Sequence, residues 1–472
     1  MNRKHVIKKK HVIKKKTVLL VLLIVILSIT GCSGAANVTP EPQEDPSLTA
    51  TKAFLTQEPS AAAIGSYIRS PEIPIMEEAG DLLLERLLLA QEDTGNAINR
   101  KIFDEAYMKA LNETMGGVLD PSKIKDITDE AVRRDYQEAA DAFLKVVRYE
   151  ETPVLEPDWA VIATYNTIFS DESKEMIDLR SRLQGRYYYE DSDLLASDIV
   201  ITESKIKGAK LPFVRWQLKK LYKHQVSVLL IGPEGSYLSE YVSGDAAAMA
   251  RITNYASAYQ DSNLSRIAEK ILAKSDINMM ALSDLIQSSL AFPPGDARVM
   301  ANKESVSGET KLRILELSNF EDQALADKLN QEIEKAATAM IKPGIKGQSV
   351  TAFLSFANDN YLGLNFANGY TDPQGNYQFQ ESFLTLDMVT GNPISLDDLV
   401  GAPFESYADR LMTVMRAQNP QNELVALDPP VNFLVNDWGL QILIPRTDGN
   451  GSDYYGVSLN GLRAIMDVTR LY

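Results

Sequence analysis

The chain has 472 residues, 64 of them acidic against 48 basic, for a formal charge of −16. So acidic a body lacks the cation excess that non-specific nucleic-acid binding needs. One cysteine and three histidines exclude an internal disulfide and leave no His/Cys ligand set for zinc, while the length suits two or three domains.

Arg3 to Lys16 is basic, with His5–Lys10 repeated as His11–Lys16; Val18 to Leu27 is apolar, and Ile29-Thr30-Gly31-Cys32 closes the segment. That order is an export signal, and its apolar run falls well short of the ~20 residues that span a bilayer. The segment to Gly31 carries eight basic residues and no acid, so the remainder has 40 basic against 64 acidic residues, a charge of −24. Small residues before a lone cysteine form a lipobox, and the segment resembles the signal of bacterial lipoproteins. The resemblance implies that residues 1–31 are removed and that Cys32 carries a diacylglycerol holding the protein at the outer face of the cell membrane. Two acyl chains make such an anchor durable.

Residues 32–63 are rich in Pro, Ser, Thr, Ala and Glu and read as a disordered tether. Residues 64–295 read as an all-helical domain. Ile75, Ala79, Leu82, Leu83, Leu87 and Ala90 form one stripe at helical spacing. Val132, Tyr136, Ala139, Ala140, Phe143 and Val147 form a second, and Ala248, Ile252, Tyr255, Ala256 and Tyr259 a third. Leu264, Ile267, Ile271 and Leu272 follow directly, and another helix is expected from Ile277 to Leu290. The β-branched run Val226–Ile231 is expected to form a strand. Asp296 to Glu309 reads as a connector.

Residues 296–472 change period and predict one α+β domain, a mainly antiparallel sheet with helices on one face. Strands are expected at Leu312–Leu317, around Val350–Phe356, Leu362–Phe366 and Leu384–Met388, and at Val431–Val435 and Leu440–Pro445. A helix is expected over Phe320–Ile341. Ser395-Leu396-Asp397-Asp398 is a capping box, and a further helix runs from Phe404 to a stop at Asn419-Pro420. The fold class is therefore α+β, with an N-terminal multi-helix array before the C-terminal sheet.

Leu384-Thr385-Leu386-Asp387-Met388-Val389-Thr390-Gly391 followed by Ile394-Ser395-Leu396-Asp397-Asp398-Leu399 carries a family resemblance. With the Asn330-bearing helix, the paired strands around Tyr361–Phe366 and the strand–Gly–strand pair Phe433–Ile444, this region resembles the extracytoplasmic module of RsiV-type anti-sigma factors. The same module accompanies the catalytic domain of PdaC-type peptidoglycan deacetylases. The resemblance spans roughly Lys311–Leu471 and implies a protein-binding module; RsiV senses lysozyme by binding it. Where the family has a Gly-Gly-Ala-His-Gly-like loop, this chain has Thr371-Asp372-Pro373-Gln374-Gly375. Tyr370, Asp372 and Tyr377 are therefore the expected ligand-contact residues.

Catalytic signatures are sparse. His224 stands alone between Lys223 and Gln225, without a Gly-x-Ser-x-Gly elbow. Ser122-x-x-Lys125 and Ser204-x-x-Lys207 match a serine–lysine nucleophile pattern but lack its Lys-Thr-Gly partner, and no deacetylase Asp-Asp-Gly-Pro stretch occurs. Asp448-Gly449-Asn450-Gly451-Ser452-Asp453 spaces oxygens as a calcium loop does, with Leu459 where the bidentate Glu would fall; a glycine-rich turn is the expectation. Tyr187-Tyr188-Tyr189 is expected to pack among helices.

These readings point to a non-enzymatic, lipid-anchored envelope protein without cofactor or metal. Its expected partners are the membrane and a basic extracellular protein or wall component, with no nucleic acid. The alternatives are a carboxylate-dependent wall hydrolase and a structural or assembly factor.

Overall fold

Twenty-three residues of one helix, α3 (Glu77–Asn99), run through the middle of the N-terminal half of the molecule. Its apolar stripe is wide, and Ala79, Leu83, Leu84, Leu87, Leu88 and Leu89 are all buried, as expected of a helix covered on most sides. The computed structural model describes residues 45–149, 152–184, 192–232, 235–273, 278–422, 426–445 and 452–472. Ser47–Tyr472 forms one unit by internal contacts. The signal segment, Cys32, the first part of the tether and the Tyr187–Tyr189 run lie outside the described residues, as do positions 448–451 of the glycine-rich loop.

The tether expected through residue 63 is corrected from Pro46 onward. Helix α1 (Pro46–Leu55) buries Leu48 and Leu55, and α2 (Ala61–Arg69) is capped by Ser60. Ser47 Oγ accepts from the Met76 amide at 3.0 Å, and Arg86 of α3 donates to the Leu55 carbonyl. A few apolar residues at helical spacing suffice here because α3 supplies the surface that buries them.

Helix α4 (Glu130–Asp141) begins at Asp129, whose carboxylate accepts from the amides of Ala131 and Val132. It stops earlier than its stripe predicts, because Phe143 takes a left-handed φ of 55°. The chain then forms a hairpin, β1 (Leu144–Tyr149) against β2 (Thr152–Pro157), so residues 64–295 are not all helical. Gln91 of α3 holds the corner by donating to the carbonyls of Ala142 and Phe143, at 2.5 and 3.1 Å.

Further helices follow: α5 (Asp171–Leu183), α6 (Ser192–Gly208), α7 (Pro212–Leu230), α8 (Ala246–Ala258), α9 (Asn263–Leu272) and α10 (Met279–Ser289). The run expected as a strand at Val226–Ile231 is the last turn and a half of α7. Val226, Leu229 and Leu230 are buried there, so tertiary burial overrides β propensity.

The expected α+β arrangement is present in the C-terminal half. Five strands stand in the order β3 (Val299–Ser307), β4 (Thr310–Ser318), β5 (Ser349–Ala357), β6 (Tyr361–Thr371), β7 (Tyr377–Asp387). All neighbours are antiparallel except β4 and β5. β3 lies in the stretch read as a connector. It is an exposed edge strand of mostly polar residues, so it carries no apolar alternation. Helix α11 (Gln323–Ala339) packs Leu329, Ile333 and Ala337 with Val350, Leu362, Leu364 and Phe366 on one face of this sheet.

The remaining strands form a second sheet rather than extending the first: β8 (Asn432–Asn436), β9 (Gly439–Pro445) and β10 (Ser452–Ser458), with β9 central. Before it come α12 (Leu396–Val400), started by the Ser395/Asp398 capping box, and α13 (Ala408–Gln418). A short helix, α14 (Leu459–Leu462), follows β10. The second sheet meets the first at Gly363. A Cβ there would run into the Val435 carbonyl, so only glycine lets β8 come this close to β6. Phe383, Leu434 and Leu443 fill the space beside this crossing.

Candidate binding face at the end of the β6–β7 hairpin

Side chains alternate across a strand, so the register of β5–β7 decides which residues share a face. Val350, Leu364, Phe366 and Leu386 face α11. The other face presents Phe353, Asn365 and Phe383 in one row, then Thr351, Ala367 and Glu381, then Ser349, Gly369 and Phe379. The second sheet covers this face near Gly363 and Phe383. Towards the hairpin end it stands open. Tyr377 is 72% exposed, Phe379 56% and Phe353 43%, around a low floor of Thr351, Ala367 and Gly369.

Tyr377 is not loose on this face. Its ring leans over Gly369, where any Cβ would strike the phenol. Gly369 is thus the flat seat that fixes the ring against the sheet while leaving its outer side in water. β7 is also the last strand of its sheet, so the aromatic pair Tyr377 and Phe379 stands on an edge.

Asp372 organises the turn. Its carboxylate accepts from the amides of Gln374 and Asn376, at 3.0 and 2.8 Å, and from the side chains of Asn376 and Gln378. The Asn376 amide is the largest influence holding this carboxyl below the usual aspartate range, because these donors favour the ionised form. The proline–glycine turn is therefore built around Asp372, and Gly375 takes the left-handed φ of 89° that the turn requires. Tyr370 pairs with Gln378 and Tyr377 with Thr371. The structure therefore puts Asp372 and Tyr377 on one hairpin but sends Tyr370 to the opposite face. Phe379 and Phe353 complete the open face. Neither is among the residues expected from the sequence, although the alternation of Tyr377, Phe379 and Phe383 carries the signal.

Elsewhere, buried carboxylates have structural partners. Glu203 of α6 accepts from the amides of Asn263 and Leu264 at the start of α9; burial outweighs these bonds and raises its pKa. Ser122 bonds Asp120 at 2.7 Å, Ser204 is exposed on α6 and His224 exposed on α7. Among the described residues no three His, Cys, Asp or Glu are grouped to hold a metal ion, and no helix is long and apolar enough to cross a membrane.

No protein-family profile and no curated protein matches the chain. Among solved structures, it is similar to a DUF3298 family protein from Pseudomonas aeruginosa PAO1, at 12% identity with a TM-score of 0.29, over 37% of this chain and 97% of that one. A member of the DUF3298 family from Bacteroides fragilis NCTC 9343 is similar at 12% identity and a TM-score of 0.27, over 36% of this chain and 92% of that one.

Proposed function

We propose that this is a non-catalytic, lipid-anchored protein of the outer face of a bacterial cell membrane, which binds an extracellular protein or wall component through the open end of the β5–β7 face. The observation that carries the reading is the exposure of Tyr377, Phe379 and Phe353 on one sheet face whose other end is covered. Single exposed apolar side chains are ordinary, but aromatics grouped on one flat face mark interaction surfaces. Tyrosine and phenylalanine offer large contact area with little side-chain entropy to lose. The anchor on Cys32 and the signal at residues 1–31 are inferred from the lipobox. The excess of acid over base favours a basic partner, and it enters through steering more than through the contact itself.

The purified protein is to be mixed with insoluble peptidoglycan and, separately, with lysozyme as a basic probe protein. Saturable binding to either, without release of soluble wall fragments, supports the reading. Release of fragments that stops on replacing one carboxylate supports a wall hydrolase instead and defeats it.

A further inference from the structure

The fold uses the outer hydrogen-bonding side of β7 only in part. In an antiparallel pair the N–H and C=O of one residue point to the same side, and successive residues alternate between the partner strand and the side away from it. The bonds that β7 makes on its far side fix that alternation. The Phe383 amide donates to Asn432 Oδ1 at 3.2 Å, the Ile394 amide donates to the Thr385 carbonyl at 3.0 Å, and the Asp387 amide donates to the Asn392 carbonyl at 2.9 Å. All lead away from β6, so the main-chain groups of Tyr377, Phe379 and Glu381 lead away from it as well. Among the described residues these groups have no hydrogen-bond partner. Residues 377–379 are exposed and 380–382 half-buried, so this stretch of the edge is open to water.

Edge strands usually carry devices that keep other strands off, such as charge, proline, a bulge or a cover. β3, the opposite edge of the same sheet, has Lys303 and Glu304 exposed at its middle. β7 has no such guard from Tyr377 to Gln380. That Tyr-Gln-Phe-Gln run is free of charge and proline, and its pairing with β6 shows no register shift. At Phe383 the Asn432 side chain closes the edge, and at the other end the chain leaves the strand in the turn held by Asp372. The free window is therefore short and bounded on both sides.

We infer that this window pairs with the same window of a second copy of the chain, β7 against β7, antiparallel about a two-fold axis at Phe379. An isologous contact must be complementary to itself, and this one is. Phe379 stands opposite Phe379 of the second copy, Gln378 opposite Gln380, and Tyr377 opposite Glu381. The outward-pointing residues then meet one another, and each such pair exchanges both of its N–H···O bonds. Aromatic pairs directly across strands are favourable and like charges are not. Here the one charged side chain, Glu381, faces a phenol, and its carboxylate is already held within its own sheet by Asn365 Nδ2 at 3.1 Å. This register uses every free residue of both copies. A slip in one direction meets Asn432, and in the other it runs into the turn.

The axis stands perpendicular to the sheet, so both copies present Tyr377 and Phe379 on the same side. The aromatic face proposed above as the binding surface thus continues from one copy into the next, although the pairing itself does not depend on that reading.

The test is sedimentation equilibrium of the full chain in density-matched detergent over a wide range of concentration. The inference expects a monomer–dimer equilibrium. Glu381→Pro removes an amide hydrogen that points away from β6, so it costs the fold no ladder bond and takes one from the pairing. It should weaken dimerisation roughly tenfold or more, while Glu381→Ala, which keeps the amide, should stay within about threefold of wild type. Phe379→Lys, at an exposed position, sets like charges against each other on the axis and should also disrupt the dimer. Thermal melts show whether the variants fold. A monomeric wild type, or a dimer that folded Glu381→Pro and Phe379→Lys both keep, overturns the inference. A monomeric wild type whose binding of lysozyme is lost in Glu381→Pro but not in Glu381→Ala gives the edge to a partner's strand and overturns it too.

Discussion

Arg463 Nη1 sits 2.9 Å from Glu85 Oε1, joining the C-terminal segment to the middle of α3 across 378 residues of sequence. The Tyr472 hydroxyl donates to the same oxygen at 2.7 Å. Burial, and then the Glu85 charge, raise the pKa of that phenol. One buried core also runs through both halves, from Leu83 and Leu87 to Val435, Ile442 and Leu471. The helical and sheet-bearing halves therefore stabilise each other rather than standing as separate domains.

Replacing Glu85 with alanine leaves Arg463 and Tyr472 without their acceptor. Breaking a buried pair on one side costs about 3–5 kcal/mol, less where the groups keep some contact with water. Both side chains are partly accessible, so a loss of about 2 kcal/mol is expected. Urea unfolding followed by circular dichroism should show one earlier transition for Glu85→Ala. Two separated transitions, with only one displaced, would mean that the halves fold independently.

Asp93 of α3 accepts from Asn460 Nδ2 at 2.8 Å. Burial is the largest influence and raises its pKa, outweighing the hydrogen bonds from Ser458 and Asn460 and the charge of Arg100. A carboxyl raised in the folded state binds its proton more tightly there than in the unfolded chain. Its contribution to stability is complete below the unfolded pKa, near 3.9, and is lost as pH rises through the folded one. Asp93→Asn should remove this loss. The variant should gain stability relative to wild type between mildly acidic and neutral pH, measured as the difference in urea midpoints across that window. A difference that does not change with pH would contradict the shift.

At Gly363 the Val435 main-chain carbonyl occupies the place of a side chain. Backbone cannot rotate away, so Gly363→Val must push β8 from β6. Overpacking of this kind costs about 1–3 kcal/mol, and the upper end is expected here. The variant's melting temperature, set beside that of Gly208→Ala in open space at the end of α6, checks the argument. A near-neutral Gly363→Val would show that the two sheets do not rely on this close approach.

Cys32→Ala should remove the proposed anchor, and among the described residues the core starts with Leu48 and Leu55 of α1, away from that position in sequence. Growth with labelled fatty acid should mark the wild type and not the variant, and the variant should leave the membrane fraction. An unlabelled wild type, or a variant still membrane-bound, would defeat the lipid assignment.

Alternation made the central strands legible: Leu362, Leu364 and Phe366 face a helix, and the apolar period of α11 matches them. The capping box at Ser395 and Asp398 was legible because capping is local chemistry. What could not be read depended on distant partners. β3 is polar because its edge faces water, and α1 carries little apolar surface because α3 completes its burial. Tyr370 and Tyr377 look like neighbours in sequence, yet the hairpin register parts them. A cavity beside Lys219 gathers five distant segments. Its one local trace was Trp216 with Lys219, Lys220 and Lys223 on a single helix of an acidic chain.

The central claim is that the open aromatic face makes the contact. Its most direct test is the affinity of the Tyr377→Ser/Phe379→Ser double variant for whichever probe the wild type binds, peptidoglycan or lysozyme. Two buried aromatic anchors are worth at least about 2 kcal/mol, roughly thirtyfold in Kd. The account predicts a loss of that size or more with an unchanged melting temperature. Equal affinity of the double variant, or no binding of either probe by the wild type, would contradict it.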